Sequence, residues 1–239
     1  MPLAADDNYE IPNYLVADLT RIVTKVAANE GWYRQSWLGA AIWQLPDDLM
    51  LLQRIVAGIR PSLIVETGTK YGGSALFFAS MLELLDLPKS RVITVDIQET
   101  EEARQLLVNH RLGRYVQHRL VASSLHEDVL ASIAAAVAST QGPVLVFLDD
   151  WHGGEHVLAE LNAYAPFVGE NGLLVVADTS FADLAGTPVA PYRSLLHSNP
   201  RSAIEAFLQT SPGFERTNRF LLPGLSNFAD GLLQRRPLD

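Results

Sequence analysis

Two aspartates set just beyond apolar runs are the residues whose types and spacing first imply chemistry. Asp149 follows Val144-Leu145-Val146-Phe147-Leu148, and Asp178 follows Leu173-Leu174-Val175-Val176 with Ala177 between. If the two runs are neighbouring strands, the carboxylates meet at one rim, and two close carboxylates need a proton or a cation between them. Oxygen ligands suit Mg²⁺, Mn²⁺ or Ca²⁺, and the chain has no cysteine to build a thiolate zinc site. The alternative is that one aspartate caps a helix while the other faces solvent. His152 stands three residues beyond Asp149, within reach of a substrate hydroxyl held on the same metal, and an imidazole is suited to take its proton. A histidine so placed otherwise caps a helix or faces water. His156 is expected on the next helix in a structural role.

A second group surrounds the run Leu63-Ile64-Val65, which leads into Glu66-Thr67-Gly68-Thr69-Lys70-Tyr71-Gly72-Gly73-Ser74. The glycines permit a tight turn and close approach of a ligand to the backbone, but the spacing is not the dinucleotide pattern G-x-G-x-x-G. An acid before the first glycine suits a ligand with an ammonium and a hydroxylated ribose better than a pyrophosphate, which points to S-adenosylmethionine. Asp96 closes the run Val92-Ile93-Thr94-Val95, the position from which a carboxylate accepts both hydrogen bonds of a ribose diol. Glu66, Gly68, Thr69, Gly72, Ser74 and Asp96 are the candidate cofactor contacts of this half; a plain strand-to-helix connection is the alternative. Trp151 can stack on adenine or pack into the core. Ser123 and Ser124 can meet the base edge or cap the following helix. Trp32, Trp37 and Trp43 suit an acceptor pocket, the core or an oligomer contact equally well, and carry no assignment.

The elements that must position these residues follow from periodicity. The apolar runs above, with Tyr115-Val116, alternate with helical stretches at Ser74–Leu85, Thr100–Asn109, His126–Ala138 and His156–Ala165. That alternation predicts βαβ units and five parallel strands buried on both faces. Ile11–Glu30 carries Leu15, Leu19, Ile22, Val23 and Val26 at helical spacing before Gly31, and Pro46-Asp47-Asp48 opens a helix that Arg60-Pro61 stops. Beyond Asp178 the sequence predicts a long loop to about Arg193, a helix near Ala203–Gln209, and an antiparallel closing pair at Phe214–Leu222 and Leu232–Arg236. Residues 1–45 form an N-terminal helix and Trp-rich segment, and residues 46–239 the main domain.

Composition bounds the rest. The 239 residues are 48% hydrophobic and 19% charged, enough apolar surface for a sizeable core. A net charge of −9 disfavours nucleic acid as a partner. The absence of cysteine fits a cytoplasmic location, the acidic N-terminus lacks the features of an export signal, and no apolar stretch is long enough for a membrane span.

Several blocks together resemble the cephalosporin hydroxylase and rhamnosyl O-methyltransferase family of S-adenosylmethionine-dependent methyltransferases. They are Trp37-Leu38-Gly39 through Pro46-Asp47, the stretch Ile64–Leu76, Val95-Asp96-Ile97, and Leu148-Asp149-Asp150-Trp151-His152 with His156-Val157-Leu158 and Glu160-Leu161. The tail Ala206-Phe207-Leu208, Phe214 and Ser226-Asn227 through Gly231-Leu232-Leu233 resembles its ending, so the likeness covers about Trp37 to Arg235. Catechol O-methyltransferases are similar at a greater distance.

The resemblance implies a Rossmann-like class I methyltransferase fold: a mostly parallel seven-stranded sheet, helices on both faces and an antiparallel C-terminal pair. It implies cofactor contacts at Glu66, Gly68, Ser74, Asp96, Ser124 and Trp151, and a divalent metal, Mg²⁺ or a similar cation, on Asp149, Asp178 and Thr179. His152 would take the place of a catalytic lysine. The acceptor would be a hydroxyl, of a sugar above all, on a small natural product. The chain departs from the family pattern at Ala177, where a glutamate is a proposed metal ligand, and at Asp150, where the pattern has serine. A component of β-lactam hydroxylation and a non-catalytic cofactor-binding scaffold are the rival functions. Homo-oligomerisation is expected through the N-terminal helix and Trp-rich segment.

Overall fold

The structure, a computed structural model, describes residues 13–30, 34–187, 190–221 and 226–236. Helix α1 (Asn13–Glu30) and a short hairpin of β1 (Ser36–Trp37) and β2 (Ala40–Ala41) precede α2 (Pro46–Ile59). The βαβ series then runs β3 (Leu63–Thr67), α3 (Gly73–Leu84), β4 (Arg91–Asp96), α4 (Glu101–Asn109), β5 (Val116–Val121), α5 (Glu127–Ala138), β6 (Val144–Leu148), α6 (Gly154–Tyr164) and β7 (Leu173–Val176). The chain closes with α7 (Phe181–Leu184), α8 (Pro200–Thr210), β8 (Phe214–Arg216) and β9 (Leu232–Arg235).

The strands form a seven-stranded sheet in the order β5-β4-β3-β6-β7-β9-β8. The pairs among β3 to β7 are parallel, and β9 is antiparallel to both β7 and β8. Central strands alternate their side chains between two apolar layers, as the pleat requires. Ile64, Leu145 and Phe147 enter one layer with α2 and α3, whereas Val65, Val146 and Leu148 enter the other with α5, α6 and α8. Ala40 and Ile42 of the hairpin region join the first layer, so this part of the N-terminal segment shares the core of the main domain.

The strand order reverses between β3 and β6, and ligands bind at such a switch point beyond the carboxyl ends of the strands. Register makes this position exact enough for a site: Thr67 lies opposite Val95 on one side and Leu148 on the other, and Leu148 lies opposite Val176. The next residues, Gly68, Asp96, Asp149 and Ala177-Asp178, therefore emerge along one rim.

The apolar positions of α1 face outward: Leu15, Leu19, Ile22 and Val26 are 40%, 48%, 59% and 54% exposed. The helix meets α7 through Arg21 Nε, which donates to Asp183 Oδ1 at 3.0 Å. Two expectations change. The strand expected over Phe214–Leu222 stops at Arg216: after a last ladder bond from the Thr217 amide to the Leu232 carbonyl the chain turns at Asn218–Leu221; Leu222 lies outside the described residues. The loop after Asp178 contains α7 rather than irregular chain alone. Among the described residues, no helix is long and apolar enough to cross a membrane.

Candidate active site

A cleft of about 540 Å³ opens at the rim of β3, β4, β6 and β7. Its floor on one side is the turn after β3. Gly68 has φ +90°, and a Cβ there would stand 2.0 Å from the carbonyl oxygen of Asp149, so both the conformation and the approach of the β6 end require glycine. The amides of Gly68 and Thr69 donate to Val95 O at 2.8 and 3.3 Å, tying the turn to β4. Asp96 caps that end: its Oδ2 accepts from the Lys70 amide at 2.9 Å and its Oδ1 from Gln98 N at 3.3 Å. Ile97 beside it is 77% exposed and lines the cleft, an apolar surface against which a flat ring can lie.

Thr69, Ser74, Ser123, Ser124 and Trp151 also line the cleft. The two serines do not cap α5. Its N-cap is His126, whose Nδ1 accepts from Asp128 N at 3.3 Å, while Ser124 Oγ donates to Asp150 Oδ2 at 3.1 Å. Trp151 is 53% exposed and meets Tyr192 edge to face.

Glu66 and Gly72 stand apart from the cleft wall. Glu66 lies wholly buried beneath the turn, where Ser74 Oγ donates to Oε1 and Oε2 has no partner. Burial pushes its carboxyl up to about 8, against the lowering effect of the Ser74 hydrogen bond. Gly72 turns the chain into α3 and faces Leu106 and Leu107. Direct ligand contact is thereby corrected for both: they shape the turn from behind.

On the other side of the cleft, Asp149, His152 and Asp178 place one ligand atom each within 4.8 Å of one another. His152 Nε2 is 3.0 Å from Asp178 Oδ2, and its ring packs edge to face on Phe181 with centroids 4.2 Å apart. Burial pushes Asp149 and Asp178 well above the usual carboxylate range, with the charge of Asp178 adding to the effect on Asp149. Burial pushes His152 down to about 4, so the ring is neutral near pH 7. The arrangement suits a dication or a substrate oxygen placed among these three groups.

Thr179 does not join them. It is 2% exposed and its hydroxyl donates to Asn227 O at 3.1 Å, which corrects its assignment as a ligand. The neighbouring backbone explains the difference: Asp178 adopts φ +54°, a left-handed turn that separates its side-chain direction from that of Thr179.

Two amides that sequence reasoning did not single out hold the carboxylates. Gln44 Nε2 donates to Asp149 Oδ2 at 2.6 Å, and Asn227 Nδ2 donates to Asp178 Oδ1. Asn227 is itself fixed: Ser180 Oγ donates to its Oδ1, and its backbone N–H donates to Asp48 Oδ1 at 3.0 Å. Asp48, buried at the start of α2, is pushed up to about 7 by burial despite those bonds. Both residues lie within blocks that resemble the family pattern, Gln44 in Trp37–Asp47 and Asn227 in Ser226-Asn227, and that was the signal the sequence carried for them.

The other unassigned residues also find places. Trp43 lines the cleft and meets Tyr71 edge to face, whereas Trp37 packs on Phe77 and donates from Nε1 to Ser80 Oγ at 3.0 Å; Trp32 lies outside the described residues. His156, expected to be structural, lines the cleft and reaches Asp150 Oδ1 at 3.1 Å. Burial opposes ionisation of Asp150, but the hydrogen bond and charge of His156 outweigh it and hold this carboxyl below its ordinary range.

Comparison with known proteins places the chain in a family. The profile of the Rhamnosyl O-methyltransferase/CmcI family matches residues 29–236. The rhamnosyl O-methyltransferase of Mycobacterium tuberculosis (strain ATCC 25618 / H37Rv) is 30% identical over 210 residues, covering 85% of this chain and 79% of that protein. That of Mycobacterium leprae (strain TN) is 30% identical over 185 residues, covering 76% and 74%. Among solved structures, a CmcI structure described as Mg-SAM superposes with a TM-score of 0.62 at 15% identity over 87% of this chain and 78% of that one. CalS11, a TDP-rhamnose 3'-O-methyltransferase of calicheamicin biosynthesis, gives 0.53 at 18% identity over 95% and 96%. The structural likenesses establish the shared fold, and the sequence match extends from the hairpin to the last strand of the sheet. This chain is a member of the Rhamnosyl O-methyltransferase/CmcI family.

Proposed function

We propose that the protein is an S-adenosylmethionine-dependent O-methyltransferase acting on a hydroxyl, of a sugar above all, in a small glycosylated or hydroxylated natural product. The observation that carries this reading is the meeting of Asp149, His152 and Asp178 in a cleft whose other half presents the Gly68 turn and Asp96. Family membership and the rhamnosyl O-methyltransferase relatives support it.

Asp96 accepts the ribose hydroxyls, the turn lets the ligand approach the backbone, and Trp151 and Ile97 flank the purine. The acidic surroundings favour a cationic sulfonium. Asp149 and Asp178 fit a divalent cation such as Mg²⁺, because each is a partly buried oxygen donor whose direction is fixed by one amide, the way supporting groups orient metal ligands. When bound, S-adenosylmethionine supplies the electrophilic methyl and the cation supplies charge that lowers the pKa of the acceptor hydroxyl. His152 takes the hydroxyl proton at Nε2 once the acceptor oxygen replaces Asp178 as its partner. Trp43, Tyr71 and Phe181 wall the acceptor side, restrict water and hold the oxygen in line. The hairpin and the loop bearing α7 set acceptor choice.

Calorimetric titration of S-adenosylmethionine and S-adenosylhomocysteine, with and without Mg²⁺, tests the reading. Binding of either form, with Mg²⁺ binding lost in Asp149→Ala, is expected. Well-folded protein that binds neither form would overturn it and leave a different ligand for the cleft. Methyl transfer to nucleotide-linked and lipid-linked rhamnose then identifies the acceptor.

The outward stripe of α1 supports self-association of the protein. Light scattering of a Leu19→Glu, Ile22→Glu variant is expected to show a smaller particle than the parent; equal sizes would refute this contact.

A further inference from the structure

Behind the cleft wall lies a second cluster that the proposed methyl transfer does not use. Asp150 leaves the end of β6, and His156 and Glu160 stand four residues apart on α6, hence on one face of the helix. One ligand atom from each lies within 4.8 Å of the others. His156 Nε2 is 3.1 and 3.2 Å from the two Asp150 oxygens and 3.6 Å from Glu160 Oε2.

Asp150 is satisfied by Ser124, by the Trp151 amide and by His156. Glu160 is not. It is 1% exposed, and neither carboxylate oxygen makes a well-formed hydrogen bond, the Ser124 and Thr67 hydroxyls lying beside it and His156 Nε2 standing 3.6 Å from Oε2. A buried carboxylate so weakly served is costly, and one aimed at an imidazole and a second carboxylate has a specific remedy.

We propose that Asp150, His156 and Glu160 form a second divalent-cation site, distinct from the Asp149–Asp178 pair and selective for a transition-metal dication of the Zn²⁺, Co²⁺ or Mn²⁺ type. Ligands about 2.0–2.1 Å from a tetrahedral ion lie about 3.3–3.4 Å apart, close to the 3.1 and 3.6 Å separations at His156 Nε2. A dication balances two carboxylates, and an imidazole nitrogen favours transition metals over Mg²⁺. Asp150 and His156 line the cleft while Glu160 sits behind them, so the open coordination positions face the cleft. The ion ties the β6 end to α6 and, through Ser124, to the loop after β5.

The test titrates Co²⁺ and Zn²⁺ into chelator-treated full-length protein, following calorimetry and the visible Co²⁺ absorption. An Asp149→Asn, Asp178→Asn variant isolates the second site and is expected to retain one equivalent with a nitrogen-containing Co²⁺ spectrum. Adding Glu160→Gln or His156→Gln to that background is expected to weaken it by more than the roughly 10- to 100-fold that loss of a supporting group costs. Glu160→Gln is isosteric and uncharged, so it carries the test should the histidine variant fail to fold. Absence of the retained equivalent, or equal affinity with and without Glu160→Gln, would overturn the site. Neither result bears on cofactor binding, which the earlier titration measures independently.

Discussion

Gln44 Nε2 donates to Asp149 Oδ2 across 2.6 Å, joining the segment after the hairpin to the end of β6. The amide fixes which oxygen of Asp149 faces the cleft, and supporting bonds of this kind set metal affinity. Gln44→Ala is expected to weaken binding of a divalent cation by roughly 10- to 100-fold. Calorimetric titration of Mg²⁺ into parent and variant measures this, and equal affinities would show that Gln44 serves packing only.

Asn227 bridges Asp178, Ser180 and Asp48, and it is 4% exposed. Removing the side-chain amide takes a donor from Asp178 Oδ1 and the acceptor from the Ser180 hydroxyl, while the backbone bond to Asp48 stays, at a cost of about 1–3 kcal/mol. Asn227→Ala is therefore expected to lower the urea midpoint and to weaken cation binding together. Asn227→Asp, which adds charge beside Asp178, is expected to destabilise more at pH 8 than at pH 5.

His152→Ala removes the proton acceptor while leaving the Gly68 turn and Asp96 untouched. Turnover is expected to fall about 10²- to 10⁴-fold, the usual contribution of general base catalysis. The dissociation constant of S-adenosylhomocysteine should not change. A variant that turns over like the parent would assign the proton to another acceptor.

Glu66 gives a pH signature. Its pKa is pushed by burial from an ordinary value of 4.5 to about 8, so the folded state binds the extra proton between those limits. The associated stability is fully present below about pH 4.5 and lost as pH rises through about 8. Glu66→Gln removes this dependence without changing shape. Urea unfolding at pH 5.5 and 8.5 should show the parent losing more stability than the variant, by an amount on the order of a few kcal/mol. Parallel pH slopes would mean that the buried acid is paired or hydrated in solution.

The parallel core was legible because its strands are continuous apolar runs bounded by polar turns, as in Val144–Leu148 and Leu173–Val176. Strand β5 was legible only at its start, since His118 and Arg119 on this edge strand interrupt the apolar pattern. The hairpin at Ser36–Ala41 was hidden because two-residue strands carry no periodicity. Strand ends marked Asp96, Asp149, His152 and Asp178, for a rim residue follows its strand directly. Gln44 and Asn227 escaped notice because their partners lie 105 and 49 positions away, a relation that only packing creates. Glu66 misled for the opposite reason: alternation along β3 turns its side chain away from the rim that its position suggests.

The contact of Gly68 with the Asp149 carbonyl has an evolutionary consequence. Because the two strand ends touch backbone to backbone, a shift of either would move the methyl donor and the acceptor oxygen together. Selection for new acceptors is thus channelled away from the strand ends and into side chains that line the cleft from outside the sheet, since the backbone contact sets the distance over which the methyl travels.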